Sequence, residues 1–253
     1  MPITMPNRVE YEIVNGRVGI VSDDGNTIPA YWSHPKLGGR FPAICIIHDW
    51  WGITTVERRL AHLFAQWGCY AVVPDLFGGA TATTPHEAMA LVRQYSDHAF
   101  PLIDRALKAL EMHNKTNAHV GVIGIGMGGS FAYEAAINRP TLEAVVSIFG
   151  LPGRYLGKFK TATVPILALY GQPEPIIKPD DMARLQAEFS ESAQPHTLAL
   201  VPGLTREMFA QAGSTTETTP SDIAWGKIIT FLDDAVLSHS EAKPDRPAKK
   251  KKP

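Results

Sequence analysis

Hydrolysis of an ester by nucleophilic catalysis needs an attacking atom held on a sharp turn, a base to take its proton and an acid to orient the base. One stretch has the backbone pattern of such a turn without the atom. Gly124-Ile125-Gly126-Met127-Gly128-Gly129 follows the apolar run His119-Val120-Gly121-Val122-Ile123 and precedes the helix-like run Ser130-Phe131-Ala132-Tyr133-Glu134-Ala135-Ala136. Strand, glycine turn and helix are the setting of G-x-S-x-G, the elbow that presents a nucleophile. Gly124 and Gly128 occupy its outer positions, and Gly126 stands where Ser or Cys would attack. Gly124, Gly126 and Gly129 also match the G-x-G-x-x-G spacing of a dinucleotide-binding loop, a pattern of little specificity alone.

The elements that would position this turn follow from periodicity. Val9 to Val14 and Arg17 to Val21 flank Asn15-Gly16, which predicts a β-hairpin. A strand is expected over 28–32. Phe41-Pro42-Ala43-Ile44-Cys45-Ile46-Ile47 is nearly all apolar, as a strand buried on both faces must be. Thr54-x-x-Glu57 is a capping box, and Leu60, Leu63, Phe64 and Trp67 then form one apolar helix face up to Gly68. Tyr70-Ala71-Val72-Val73 predicts a further buried strand. Thr84-Pro85-His86-Glu87 opens a helix lined by Ala88, Leu91, Val92 and Tyr95, and a separate helix is expected over Leu102, Ile103, Ala106, Leu107 and Leu110.

Strands are predicted over 144–149, 165–170 and 197–201. Helices are predicted over 180–189 and from Thr219-Pro220-Ser221-Asp222 onward. Strands alternating with helices give an α/β fold with a mostly parallel sheet and helices on both faces. Residues 1–236 read as one domain. Residues 237–253 read as a disordered Lys-rich tail, since Lys243, Arg246 and Lys249 to Lys252 leave nothing apolar to bury.

Composition narrows the function. A chain of 253 residues with a formal net charge of -1 has no globally basic surface for nucleic acid. No apolar run reaches the ~18 residues of a membrane span, and residues 1–10 lack the apolar core of a signal peptide. A cytoplasmic protein is the expectation. Cys45 and Cys69 sit in or beside apolar runs and read as small buried hydrophobes. No set of residues has metal-ligand spacing, and no cofactor is expected.

Six motifs, in order and spacing, resemble the dienelactone hydrolase family of the α/β-hydrolase superfamily. They are Ile46-Ile47-His48-Asp49-Trp50-Trp51-Gly52, Tyr70 to Gly79 through Pro74-Asp75-Leu76-Phe77, the elbow from Gly121 to Gly129, Ala144-Val145-Val146-Ser147-Ile148-Phe149-Gly150, Leu167-Ala168-Leu169-Tyr170-Gly171 and Val201-Pro202-Gly203. The resemblance spans about residues 10–235. It implies a carboxylic-ester or lactone hydrolase fold with its site at the C-terminal ends of the strands.

Carried over position by position, the resemblance puts the nucleophile at Gly126, the acid at Glu174 and the histidine base at Arg206. The carboxylate preceding the nucleophile in space falls on Asp49. An Arg that the family often places after its Pro-Asp-Leu-Tyr motif has no counterpart near Ala80. Glycine cannot attack, and Arg stays protonated, so it cannot serve as the base. The triad-equivalent positions Gly126, Glu174 and Arg206 are therefore expected to be inactive, with Glu174 and Arg206 forming a direct ion pair within ~5 Å.

His48 ends a strand and is read as structural. His196 and His239 are not placed to replace the base. The leading expectation is a pseudoenzyme with a degenerate triad. It would bind an anionic small molecule at a pocket mouth of Asp49, Trp50, Gly126, Met127, Glu174 and Arg206, or bind a protein partner as a complex subunit. The Lys-rich tail reads as a solubilising segment, with contact to an acidic surface as the alternative. The alternative is a hydrolase with a rebuilt site, using Ser130 or Thr205 as nucleophile, Asp49 or Glu174 as base and the Met127 N–H as an oxyanion donor.

Overall fold

The computed structural model describes residues 11–21, 25–209 and 218–237. Eight strands form one sheet: β1 (Ile13–Val21), β2 (Thr27–Pro35), β3 (Phe41–Ile47), β4 (Tyr70–Pro74), β5 (Thr116–Ile125), β6 (Ala144–Ile148), β7 (Ile166–Gln172) and β8 (Thr197–Pro202). Their spatial order is β1-β2-β4-β3-β5-β6-β7-β8. From β4 to β8 every neighbouring pair is parallel, while β2 runs antiparallel to both β1 and β4. Every residue of β3, β4 and β6 is buried. Strands that hide both faces require layers of helix above and below.

Those layers come from α1 (Thr55–Gln66), α2 (Pro85–Met112), α3 (Met127–Asn138), α4 (Pro179–Glu191) and α5 (Pro220–Ala235). Thr54, Thr84 and Thr219 each cap a helix, and the acidic residue three positions on closes a reciprocal capping box. Apolar residues at helical spacing then turn inward. Leu60 and Phe64 do so on α1, Ile103, Leu107 and Leu110 on α2, and Trp225, Ile228 and Leu232 on α5.

Three expectations change. Asn15-Gly16 is not a turn but lies inside the nine-residue β1, opposite Ser33 and Trp32. Its asparagine accepts from the Tyr31 hydroxyl at 3.0 Å. An edge strand half open to water tolerates such residues, and pairing with β2 outweighs the local turn preference. The antiparallel partner of this strand is instead β2.

The two helices expected between residues 84 and 112 are one 28-residue helix containing Pro101. Pro101 is exposed and so is Asp97, whose carbonyl loses its helical partner, so water can meet that carbonyl. Leu237, placed in the tail, is buried at 1% exposure and packs with the domain. The rest of the tail, 238–253, lies outside the described residues, as does His239. Cys45 and Cys69 are buried free thiols, and burial pushes Cys45 up to about 12. Among the described residues no helix is long and apolar enough to cross a membrane.

The strand order reverses beside β3. Its successor β4 lies on one side and β5 on the other. Loops leaving the C-terminal ends of β3 and β5 therefore diverge and leave a crevice, the usual ligand position in such sheets. Ile47 and Gly124 are register partners across this junction. That pairing brings Asp49, two residues past Ile47, to Gly126, two residues past Gly124.

Candidate active site

The elbow is built as the sequence suggested. Gly126 has φ 55° and ψ -112° and is the residue from which α3 starts. This backbone region is unfavourable for residues with a side chain. A β-carbon on Gly124 would strike the Gly128 carbonyl, and one on Gly128 would strike the Ile47 carbonyl, so both glycines are needed for the close approach of strand, turn and helix.

Asp49 fills the place of the missing side chain. A β-carbon on Gly126 would lie 2.5 Å from Asp49 Oδ2, and closer still to Oδ1 and Cγ. The backbone N–H groups of Trp50 and Met127 both donate to Asp49 Oδ1, each at 2.8 Å. One N–H belongs to the residue after the elbow position and the other to the loop after β3. This is the donor pair that forms an oxyanion hole in an α/β-hydrolase elbow. In this chain the two N–H groups converge on a carboxylate oxygen of Asp49.

Burial, foremost, raises the Asp49 pKa above the usual carboxylate range. The two N–H bonds and Arg206 pull the other way, and Glu57 adds to the rise. A proton on Oδ2 leaves both bonds to Oδ1 intact.

His48 is fully buried and structural. Its Nδ1–H donates to the Asp49 carbonyl at 2.7 Å, and its Nε2 accepts from the Leu76 N–H at 3.1 Å. Both ring nitrogens are engaged in the neutral form, and burial lowers its pKa further.

Glu174 and Arg206 lie on the loops after β7 and β8. Arg206 Nη2 donates to Glu174 Oε1 at 3.4 Å, within the separation expected of an ion pair. The pair is not a bidentate fork. Arg206 Nη1 donates instead to the Phe149 carbonyl at 3.3 Å, and the guanidinium sits over the Phe149 ring, 4.9 Å from its centroid. The Glu174 side chain is 6% exposed and the Arg206 side chain 37%, so the carboxylate is covered while the guanidinium faces solvent. Glu174 Oε1 also accepts from the Ile176 N–H.

The substitute nucleophiles are not assembled. Ser130 Oγ accepts from the Leu151 N–H at 2.9 Å, one turn into α3. Thr205 is exposed. Neither has a base hydrogen-bonded to it. His196 lies elsewhere, against Phe189 and the Phe159 carbonyl. Among the described residues no group of three or more His, Cys, Asp or Glu could hold a metal ion. At the glycine turn the Met127 N–H, a helix N-terminal donor that a pyrophosphate would use, is already taken by the Asp49 carboxylate.

Two features of the site had no signal in the sequence. One is the Phe149 ring under Arg206; this residue holds a φ of 54°, unusual without glycine. The other is a buried hydroxyl chain in which Tyr133 donates to Tyr170 at 2.5 Å and Tyr170 donates to the Gly150 carbonyl at 2.7 Å. It pins the loop after β6 on which Arg206 rests. Burial pushes Tyr133 up to about 12 and Tyr170 well up also, so both stay neutral donors.

Comparisons with known proteins agree with this architecture. The model of the Dienelactone hydrolase family matches residues 28–236. Protein usf of Aquifex pyrophilus is 27% identical over 168 residues, covering 63% of this chain and 72% of that protein. The carboxymethylenebutenolidase of Rhodococcus opacus is 33% identical over 124 residues, 45% of each chain. In the solved structures, dienelactone hydrolase from Anabaena variabilis superposes with a TM-score of 0.66 at 17% identity, over 89% of this chain and 100% of that one.

Proposed function

This chain belongs to the dienelactone hydrolase family, and we propose that it is a non-catalytic member whose site binds a small carboxylate. The observation that carries the proposal is the Asp49 carboxylate in the oxyanion hole beside Gly126. Acyl transfer needs an attacking atom, a base and free donors at the point where the oxyanion forms. Here the attacking atom is absent, the base position holds a permanent cation and the donors are taken. Triad members act as a unit, so losing two of them removes most of the rate.

The ligand class follows from what faces the mouth. The half-exposed Arg206 guanidinium is the cationic donor there. Trp50, the Phe149 ring, Leu151 and Ile176 lie on loops at the same sheet edge, and the last two are 50% and 56% exposed. A cationic donor within an apolar rim suits a carboxylate carried on an apolar body. A calorimetric titration tests this with benzoate and the uncharged benzamide as probes. Benzoate is expected to bind more tightly, with Arg206→Gln losing about tenfold of that affinity. Equal binding of the two probes, or no effect of Arg206→Gln, would sink the proposal.

One observation favours a second reading. The Trp50 and Met127 donors are retained in working geometry. If Asp49 swings out, hydrolysis by water with Asp49 or Glu174 as base becomes chemically feasible. Ester turnover separates the two readings. A protein partner, the other occupant proposed for this site, would be captured by the intact chain and lost with Arg206→Gln if it docks at the same mouth.

A further inference from the structure

A second cleft lies where α1 meets β1 and β2, with none of the elbow residues in its walls. On α1, Thr55, Arg58, Arg59 and His62 follow the i, i+3, i+4, i+7 spacing and share one face. Across from them, Arg17 of β1 and Tyr31 of β2 are direct register partners, so their side chains leave the same face of the sheet. Tyr31 and Arg58 join the two groups, with the guanidinium carbon 5.9 Å from the Tyr31 ring centroid.

Two adjoining cavities share those two residues. One of about 390 Å³ is lined by Tyr31, Thr55, Arg58, Arg59, His62 and Leu63. The other, of about 140 Å³, includes Arg17, Arg58 and Asp75.

The charges in this cleft are unbalanced. The larger cavity has no carboxylate in its wall. In the smaller one Asp75 is the single carboxylate against Arg17 and Arg58, so the wall keeps a net positive charge, and its Oδ1 accepts from the Phe77 N–H at 3.0 Å. Glu57, next to Arg58 in sequence, is buried and turned to the Thr54 N–H and hydroxyl. Among the described residues, Arg17, Arg58 and Arg59 form no ion pair. Arg58 donates to the Ile53 carbonyl, and Tyr31 is fixed by its bond to Asn15. Three guanidiniums of like charge are thus gathered beside the first turns of a helix, whose dipole adds positive potential there. A single carboxylate would satisfy only one guanidinium fork. A phosphate dianion presents oxygens to several at once.

We propose that Arg17, Arg58, Arg59 and His62 form a binding site for a phosphate-bearing ligand, separate from the elbow crevice and independent of its chemistry. The apolar faces of Tyr31 and Leu63 would border the rest of the ligand.

The test uses the full chain and two probes at low ionic strength, where screening is weak. Pyrophosphate is titrated calorimetrically, and phosphatidylcholine vesicles with and without phosphatidic acid are tested by co-sedimentation. Variants are Arg58→Gln with Arg59→Gln, Arg17→Gln, and Arg184→Gln on the exposed face of α4 as a charge control, each checked for a wild-type melting curve. Expected is binding of at least one probe, weakened about tenfold by Arg17→Gln and more by the double variant, with Arg184→Gln unchanged. Binding of pyrophosphate identifies a soluble phosphate ligand. Binding of phosphatidic acid vesicles alone identifies a lipid headgroup. Absence of binding to both probes, or equal losses in Arg184→Gln, overturns the proposal.

Discussion

The carboxylate of Asp49 stands in the space that a side chain at position 126 would fill, and its Oδ1 holds the N–H groups of Trp50 and Met127 at 2.8 Å each. The absence of a β-carbon at 126 and the position of Asp49 are therefore one arrangement. Neither residue can change alone without disturbing the other.

Gly126→Ser should destabilise the chain by roughly 1–3 kcal/mol, since the new side chain meets both an unfavourable φ and the Asp49 carboxylate. With Asp49→Ala in the same chain the steric part disappears. Denaturant unfolding of the four members of the cycle should give a coupling of about 0.5–3 kcal/mol. Simple additivity would show that the two residues do not compete for space.

Asp49→Asn keeps an oxygen for both N–H donors and removes the charge. The native pKa of Asp49 is raised, so the folded state holds its proton more tightly than the unfolded chain does. The resulting stability is present below the unfolded value of ~3.9 and is lost as pH rises through the raised native value. Asn should therefore melt higher than wild type at neutral pH, with the difference vanishing in acid. A lower melting point for Asn at pH 7 would contradict the direction assigned to Asp49.

His48 has the opposite sign. Its native pKa is lowered, so protonation favours the unfolded chain as pH falls below ~6.5. His34, His113 and His196 are lowered in the same direction. The loss of stability between neutral and mildly acid pH should become shallower in His48→Gln and not vanish. Gln should also cost about 1–3 kcal/mol at pH 7 through the bonds to Asp49 and Leu76. An unchanged pH slope would show that His48 titrates normally.

Arg206→Ala leaves the covered Glu174 carboxylate without its cation and should cost about 1–2 kcal/mol. Glu174→Gln should cost less than ~1 kcal/mol, because Arg206 keeps the Phe149 carbonyl and water. In the double variant the Arg206 penalty should shrink. Equal, additive costs measured by unfolding would mean the 3.4 Å contact is incidental.

Much of the fold was legible because apolar runs and capping boxes are local signals. The runs at 41–47 and 70–73 and the Thr-x-x-Glu boxes are read directly from residue order. Asn15-Gly16 misled for the opposite reason, since a strand pairing of long range overrode a strong local turn preference. The two apolar faces expected as separate helices belong to one helix, because the proline between them sits where the carbonyl it leaves unpaired meets water. At the site, the missing elbow atom could be read from the glycine pattern, whereas the Glu174–Arg206 pairing followed only from the family resemblance. The occupation of the oxyanion hole could not, because it depends on the register of β3 against β5, which brings together residues 78 positions apart. Nor could the Phe149 ring or the Tyr133–Tyr170 chain, whose partners come from different loops.

The most direct test is hydrolysis of p-nitrophenyl acetate by the purified chain, measured beside Asp49→Ala, Glu174→Ala and the triple variant Asp49→Ala, Gly126→Cys and Arg206→His. The predicted result is no turnover above buffer for wild type or either single variant, with turnover appearing only when nucleophile, base and vacant hole are restored together. Turnover by wild type that disappears in Glu174→Ala or Asp49→Ala would contradict the account, because the site would then be working with the residues it already has.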